Sequence, residues 1–174
     1  ETPDGDLFSR YPPGLAVLVA GVFKLFGFHA AVAINPVLAV LALLGFYLVL
    51  TRFVSGAWAV AGTLALAVNP TFLSHAVVCD SHMAVTFLLV WGLWLLVRWS
   101  ESGRVWHAFA AGLVLGSIPT VRYPEALFAL GTGVFMAWHW RTHRRIVIHG
   151  LAAVGGALIP LVPLLVRNYF AFGA

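Results

Sequence analysis

The chain has 174 residues, of which 61% are hydrophobic and only 9% are charged, and its mean hydropathy is +0.96. Soluble domains carry about 25% charged residues, so this composition excludes an ordinary soluble protein and indicates a membrane protein. The net charge of +4 does not indicate a nucleic-acid partner, because six of the ten basic residues flank apolar segments, where membrane topology accounts for them.

The first apolar segment, residues 12–28, opens with two prolines and a glycine and is interrupted by Lys24. It is shorter than the ~20 residues that a membrane-crossing helix needs. Crossing would also place the acidic start of the chain on the same side as the basic junctions that follow. We therefore predict a juxtamembrane helix that lies along the outer interface, at the end of an outer loop formed by residues 1–30.

Six further apolar segments are predicted to be transmembrane helices. They cover residues 31–50, 56–73, 82–97, 106–121, 124–140 and 146–166. Several are short for a membrane span, but flanking arginines can reach the interface and tryptophans can anchor the ends. The predicted interfacial tryptophans are Trp58, Trp99, Trp106, Trp138 and Trp140, and the glycines predicted to permit close helix packing are Gly112, Gly116, Gly155 and Gly156. The predicted fold class is all-α: a polytopic transmembrane helical bundle in residues 31–167.

Basic residues mark every second junction between these segments. Arg52 and Arg98 mark two of them, and three arginines within residues 141–145 mark the third. Flanks rich in Lys and Arg stay cytoplasmic, so the other junctions are predicted to face outward. The outward junctions carry Asp80 and Glu125, and an ionisable residue this close to a bilayer is a candidate site residue.

The acids and arginines at the outward junctions have both structural and chemical interpretations. Asp80 precedes the third span, where it would cap the helix, and it is also a candidate catalytic carboxylate. Arg122 and Glu125 are three residues apart with Pro124 between them, which predicts a local ion pair at a helix start. Because a guanidinium donates two hydrogen bonds to phosphate oxygens, Arg122 and Arg167 are also candidate phosphate ligands.

No metal site is assigned from the sequence. Cys79 is the only cysteine, and the spacing of Cys and His does not fit a structural zinc site. His82 lies two residues after Asp80, so a metal ligand or a proton relay is open, but packing or hydrogen bonding at the interface is the better interpretation. A divalent metal ion is left open as a cofactor.

Short motifs follow one another in a set order along nearly the whole chain. They are Tyr11-Pro12-Pro13-Gly14, Asn69-Pro70, Asp80-Ser81-His82, Arg122-Tyr123-Pro124 and Arg167-Asn168-Tyr169. In this order they resemble the multi-pass membrane glycosyltransferases of the GT-C class. Within that class the chain is most similar to the branch of the protein O-mannosyltransferases and aminoarabinose transferases.

The resemblance implies an enzyme that moves a hexose or pentose from a polyprenyl-phosphate carrier in the membrane lipid to an acceptor on the outer face of the plasma membrane. The acceptor would be a protein, a lipid or a glycan. The substrate-binding residues would be Arg10, Tyr11, Arg122, Tyr123, Glu125 and Arg167. Residues 1–174 would be the N-terminal part of the transmembrane module, without its first helix and its C-terminal region.

The resemblance also places the main general base early in the first outer loop, upstream of Glu1. Asp4-Gly5-Asp6 comes later than that position, and we interpret it as a turn. Asp80 is then the best remaining catalytic carboxylate in the chain.

A multi-pass transporter or lipid flippase is the alternative function. Transporters place polar groups near the middle of the membrane, at broken helices. The ionisable residues here lie near the membrane surfaces and leave the span centres apolar, which favours the glycosyltransferase. A third hypothesis, a non-catalytic scaffold, would not require Asp80, Arg122 and Arg10 to converge.

Overall fold

The computed structural model describes residues 11–139 and 146–172, and every regular element in these residues is helical. The helices are α1 (Gly14–Phe26), α2 (Phe28–Val32), α3 (Ile34–Leu50), α4 (Gly56–Ala67), α5 (Pro70–Val77), α6 (Ser81–Ser102), α7 (Val105–Gly116), α8 (Ile118–Val121), α9 (Phe128–Trp138) and α10 (Ile146–Phe172), and a 3-10 turn covers Pro124–Leu127. The predicted all-α fold class is therefore confirmed.

Two of the described helices are long and apolar enough to cross a membrane, namely α6 and residues Ile146–Ala171 of α10. The bent pair α4 and α5 would form a third span, while α3 and the combined α7 and α8 are shorter apolar helices. Many large apolar side chains on these helices are exposed, as expected of surfaces that face lipid. The number of six spans stays a prediction.

The predicted span 56–73 differs from one continuous helix, because α4 and α5 are bent by 62°. Asn69 stands at the break. Its side-chain oxygen accepts hydrogen bonds from the backbone N–H groups of Thr71 at 2.9 Å and Phe72 at 3.1 Å. Pro70 takes the first position of α5, where its missing N–H costs no helical hydrogen bond. The new helix start directs α5 back toward the beginning of α6.

The helix predicted over residues 12–28 is α1, which ends at Gly27 with a φ of +82° before the short α2. At its beginning, α1 approaches α8 closely, since a Cβ on Gly14 would lie 2.5 Å from the carbonyl oxygen of Thr120. At its other end, the five-residue α2 leads to α3, whose first turn holds Asn35 beside Asp80. The helices α1 and α2 therefore begin beside α8 and end beside the start of α6. The end of the bundle where α6 begins is called here the Asp80 end.

The core lies where α6, α7 and α10 pack together. Glycines allow α7 and α10 to approach closely: a Cβ on Gly112 would overlap the backbone of Ala153, and a Cβ on Gly156 would overlap the carbonyl group of Phe109. These contacts confirm the packing role predicted for both glycines. The prediction is wrong for Gly155, because a Cβ at this position would meet no atom of the described residues within 4 Å.

An ion-pair cluster ties together the opposite end of the bundle, called here the Glu101 end. Glu101 accepts from Arg98 at 3.3 Å and from Arg52 at 3.5 Å, so two of the basic junctions meet at this end. Trp99 is a correction to the predicted interfacial tryptophans, because it is fully buried and its indole N–H donates to His149 at 3.0 Å. Three of the predicted anchors are exposed: Trp58, Trp106 and Trp138. The fifth, Trp140, lies outside the described residues.

Candidate active site

Asp80 lies directly before α6, and its two carboxylate oxygens make different contacts. Oδ1 accepts a hydrogen bond from the backbone N–H of His82 at 3.0 Å, which confirms the predicted helix cap. Oδ2 lies 2.6 Å from Nδ1 of His75, a residue of the last turn of α5. Both side chains are about 30% exposed, at 27% for Asp80 and 31% for His75. Asp80 therefore caps α6 and contacts the ring of His75 at the same time.

Asn35 of α3 holds the connection between α5 and α6 through hydrogen bonds to its backbone. Its side chain is buried, and its amide group donates to the carbonyl oxygens of His75 at 3.2 Å and Asp80 at 3.0 Å, with a further contact to Val78. A buried amide that bonds both ends of a short connection restrains the distance between them. Asn35 thus positions the residues that form the Asp80 and His75 pair.

The imidazole of His75 is followed by His82 and Arg122 in a row of contacting groups. The rings of the two histidines are stacked with centroids 4.3 Å apart and planes inclined by 32°. Nη1 of Arg122 lies 2.8 Å and 2.6 Å from the two ring nitrogens of His82. Because a guanidinium can only donate, the ring nitrogen that it bonds has to be unprotonated. Both contacts agree with the packing or hydrogen bonding predicted for His82.

Arg122 is also held from its other side. Its Nε lies 2.8 Å from Oε1 of Glu125, which confirms the predicted local ion pair, although Pro124 opens a 3-10 turn at this point. The side chain of Arg122 is 27% exposed and that of Glu125 is 19% exposed. Oε2 of Glu125 is buried and has no hydrogen-bond partner within the described part of the chain. The guanidinium is therefore fixed by two of its nitrogens and has part of its charge offset by a carboxylate.

Tyr123 connects this region to the end of α10. Its hydroxyl group and the side-chain amide of Asn168 lie 3.2 Å apart, and Asn168 also accepts from Arg167 at 3.4 Å. Tyr123 and Arg167 are two of the predicted substrate-binding residues, and both consequently lie at the Asp80 end. Tyr11 is 79% exposed and stands three residues before Gly14, which contacts α8. Arg10 lies outside the described residues.

An open apolar groove of about 630 Å³ lies beside the site, between α1 and α2. It is lined by Leu15, Ala16, Val19, Ala20, Phe23, Phe28, Ala31, Val32 and Cys79. Cys79 belongs to its wall and is the residue before Asp80, so the apolar groove and the polar cluster are contiguous in the chain.

The donor groups of the site do not form an evident metal centre. In residues 11–139 and 146–172, no group of three or more His, Cys, Asp or Glu side chains is arranged to hold a metal ion. The two histidines nearest Asp80 contact each other, and His82 additionally contacts Arg122. The divalent metal ion left open by the sequence stays untested.

The apolar helices expose large side chains, and carboxylates, histidines and arginines cluster at one end of the bundle. These features define the class of an integral membrane protein with a polar site at one end. Residues 10–166 match the profile of the dolichyl-phosphate-mannose-protein mannosyltransferase family, and the chain belongs to this family. No curated protein and no solved structure matches the chain. The GT-C resemblance is thereby confirmed, together with a glycosyltransferase of the polyprenyl-phosphate-mannose type, and the transporter alternative is not favoured.

Proposed function

We propose that this protein binds a polyprenyl-phosphate mannose at the Asp80 end, on the outer face of the plasma membrane, and transfers the mannose to a hydroxyl group of an acceptor. The sugar is a hexose in this proposal. The acceptor is a protein, as in the description of the family, with lipid and glycan acceptors as alternatives. The observation that carries the proposal is the guanidinium of Arg122, held at this end between His82 and Glu125.

Arg122 is suited to bind the donor phosphate because its position is set before any ligand arrives. Contacts through Nε and Nη1 fix the plane of the guanidinium, so little reorganisation is needed when a phosphate binds. Such preorganised cations stabilise the charge that develops on a leaving group. In the proposal, Arg10, Tyr11, Tyr123 and Arg167 complete the substrate site, and Glu125 orients Arg122.

The apolar groove beside Asp80 supports a lipid-linked donor. Its lining is almost entirely apolar, and it adjoins the polar cluster at Cys79. A polyprenyl phosphate has the same division, with a charged head and a long hydrocarbon chain. The head would lie at Arg122 and the first isoprene units would lie in the groove, driven by burial of apolar surface.

In the transfer step, the oxygen of the acceptor hydroxyl forms a bond to C1 of mannose. The bond between C1 and the phosphate oxygen breaks, and its electron pair stays on the phosphate. The hydroxyl proton passes to a carboxylate acting as general base. Asp80 was the candidate catalytic residue, but both of its oxygens are engaged, so we place the main base outside the described residues and give Asp80 a supporting part in the site.

We expect replacement of Arg122 by Ala in the full-length enzyme to lower the release of polyprenyl phosphate from polyprenyl-phosphate mannose at least about tenfold, equivalent to ~1.4 kcal/mol at the transition state. The rate falls because the leaving phosphate loses its main cation. The measurement uses purified enzyme in detergent and a radiolabelled donor, with the recovery of folded protein determined by size-exclusion chromatography.

Arg98→Ala is the matched control. Arg98 also pairs with a glutamate three residues later, Glu101, but at the opposite end of the bundle. Equal release of polyprenyl phosphate by the two variants would refute the proposal. Movement of the lipid across vesicles without cleavage would instead establish the flippase alternative.

A further inference from the structure

We propose that His75, held by Asp80, donates a hydrogen bond from Nε2 to the donor phosphate. This hydrogen bond becomes stronger as the phosphate leaves. This inference rests on the proposed function and adds a residue that neither the motifs nor the family assignment names. It gives the site a second cationic donor beside Arg122.

The orientation of the His75 ring follows from its contact with Asp80. A carboxylate accepts hydrogen bonds only, so the hydrogen in the 2.6 Å contact belongs to Nδ1 of the imidazole. In the described part of the chain, Nε2 of His75 has no hydrogen-bond partner, and the side chain is 31% exposed. A phosphate oxygen bound at Nε2 would also accept only, so a ring that bridges Asp80 and the phosphate carries a hydrogen on each of its nitrogens. In that form Nε2 is a donor on a side chain that is partly exposed.

The charges around Arg122 explain why a second donor is useful. The donor phosphate is a diester with one negative charge, whereas the departing polyprenyl phosphate is a monoester that carries close to two at neutral pH. Arg122 is already paired with Glu125, which offsets part of its charge. An imidazolium at His75, joined to Arg122 through the ring of His82, supplies the additional positive charge where the negative charge grows.

The position of His75 is also restrained from inside the protein. Asn35 bonds the carbonyl oxygens of both His75 and Asp80, and it is buried. The ring is therefore held by its backbone, by Nδ1 and by the stacked ring of His82, while Nε2 has no hydrogen-bond partner in the described residues. This is the arrangement expected of a group that acts on a substrate from a fixed position.

The test uses two substitutions of His75 in the full-length enzyme. In His75→Asn, the side-chain amide can replace Nδ1 as donor to Asp80 but provides nothing at the position of Nε2. In His75→Gln, the longer amide reaches toward the position of Nε2. We expect His75→Asn to lower kcat for donor cleavage at least about tenfold with little change in KM, since the interaction strengthens mainly in the transition state. We expect His75→Gln to restore part of the loss.

The control is His29→Asn, an exposed histidine of α2 that does not line the apolar groove. It should leave kcat unchanged. A normal kcat in His75→Asn would overturn the inference and leave the role of Arg122 intact, because a contact that only stabilises the fold is retained in this variant. A normal rate in Arg122→Ala would instead refute the proposed function itself.

A second measurement does not depend on recovery of a folded variant. Solid-state NMR of the wild-type enzyme with labelled histidine nitrogens and bound polyprenyl phosphate should show dipolar coupling between the phosphorus and Nε2 of one histidine. The coupling should persist in His29→Asn. Its absence from the wild-type spectrum would overturn the proposal.

Discussion

The two carboxylate oxygens of Asp80 make separate contacts, one that caps a helix and one to the ring of His75. Oδ1 caps α6 through the backbone N–H of His82, and Oδ2 bonds the ring of His75. The cap requires an acceptor oxygen, which an amide also provides. A charged acceptor for Nδ1 of His75 requires a carboxylate, because an amide is neutral. The two roles are therefore separable by one substitution.

We expect Asp80→Asn to retain the thermal unfolding midpoint of the wild type, because Asn caps helices about as well as Asp. Donor cleavage should nevertheless fall at least about tenfold, since Nδ1 of His75 loses the charged acceptor that holds the ring in place. Asp80→Ala is the comparison variant and should lose about 1 kcal/mol of stability in addition. If the Asn variant cleaves the donor at the normal rate, Asp80 is a helix cap and nothing more.

The residues predicted from the sequence were those whose partners are nearby in the chain. Asp80 caps the helix that follows it, and Arg122 pairs with Glu125 three residues later. Helix geometry determines these contacts. The bond from Asn35 to Asp80 spans 45 residues, and the contact of His82 with Arg122 spans 40. Such contacts depend on how helices pack, for which one sequence carries no direct signal.

His75 was missed for a reason that lies at the level of secondary structure. The prediction of one helix over residues 56–73 placed His75 in a connection with no defined geometry. The signal was present in Asn69 and Pro70, a helix cap followed by a residue favoured at the first helical position. A new helix starting at Pro70 has only eight residues, and its last turn necessarily lies near Asp80.

The packing of α7 against α10 provides a comparison between two adjacent glycines. We expect Gly156→Ala to lower stability by about 1–3 kcal/mol, because its Cβ would overlap the carbonyl group of Phe109. Gly155→Ala should be neutral or stabilising by up to about 1 kcal/mol, because the site is open and Ala is the better helix former. Thermal unfolding in detergent micelles measures both. Equal midpoints for the two variants would contradict the close approach of α7 and α10.

At the scale of the molecule, charged groups are separated between the two ends of the bundle. Arg52 and Arg98 meet Glu101 at one end, whereas Arg122 and Asp80 lie at the other. The structure thus confirms that the basic junctions of α3 and α6 share one end. It does so through direct contacts, independently of the rule that relates basic flanks to the cytoplasm.

The charges at the two ends of the bundle predict which end faces outward. Because basic flanks are retained in the cytoplasm, the Glu101 end should be cytoplasmic and the Asp80 end should face outward. In a Cys79→Ser background, a cysteine at the exposed position 11 should react with an impermeant thiol reagent in intact cells. A cysteine at Arg104, which is exposed near the Glu101 end, should react only after permeabilisation.

The opposite labelling pattern would invert the topology. The site would then open to the cytoplasm, and the proposal of an outer-face reaction would fail even if Arg122 and His75 proved essential. If both positions are labelled from outside, the number of membrane crossings between them differs from the predicted number. The experiment therefore tests the sidedness of the reaction separately from its chemistry.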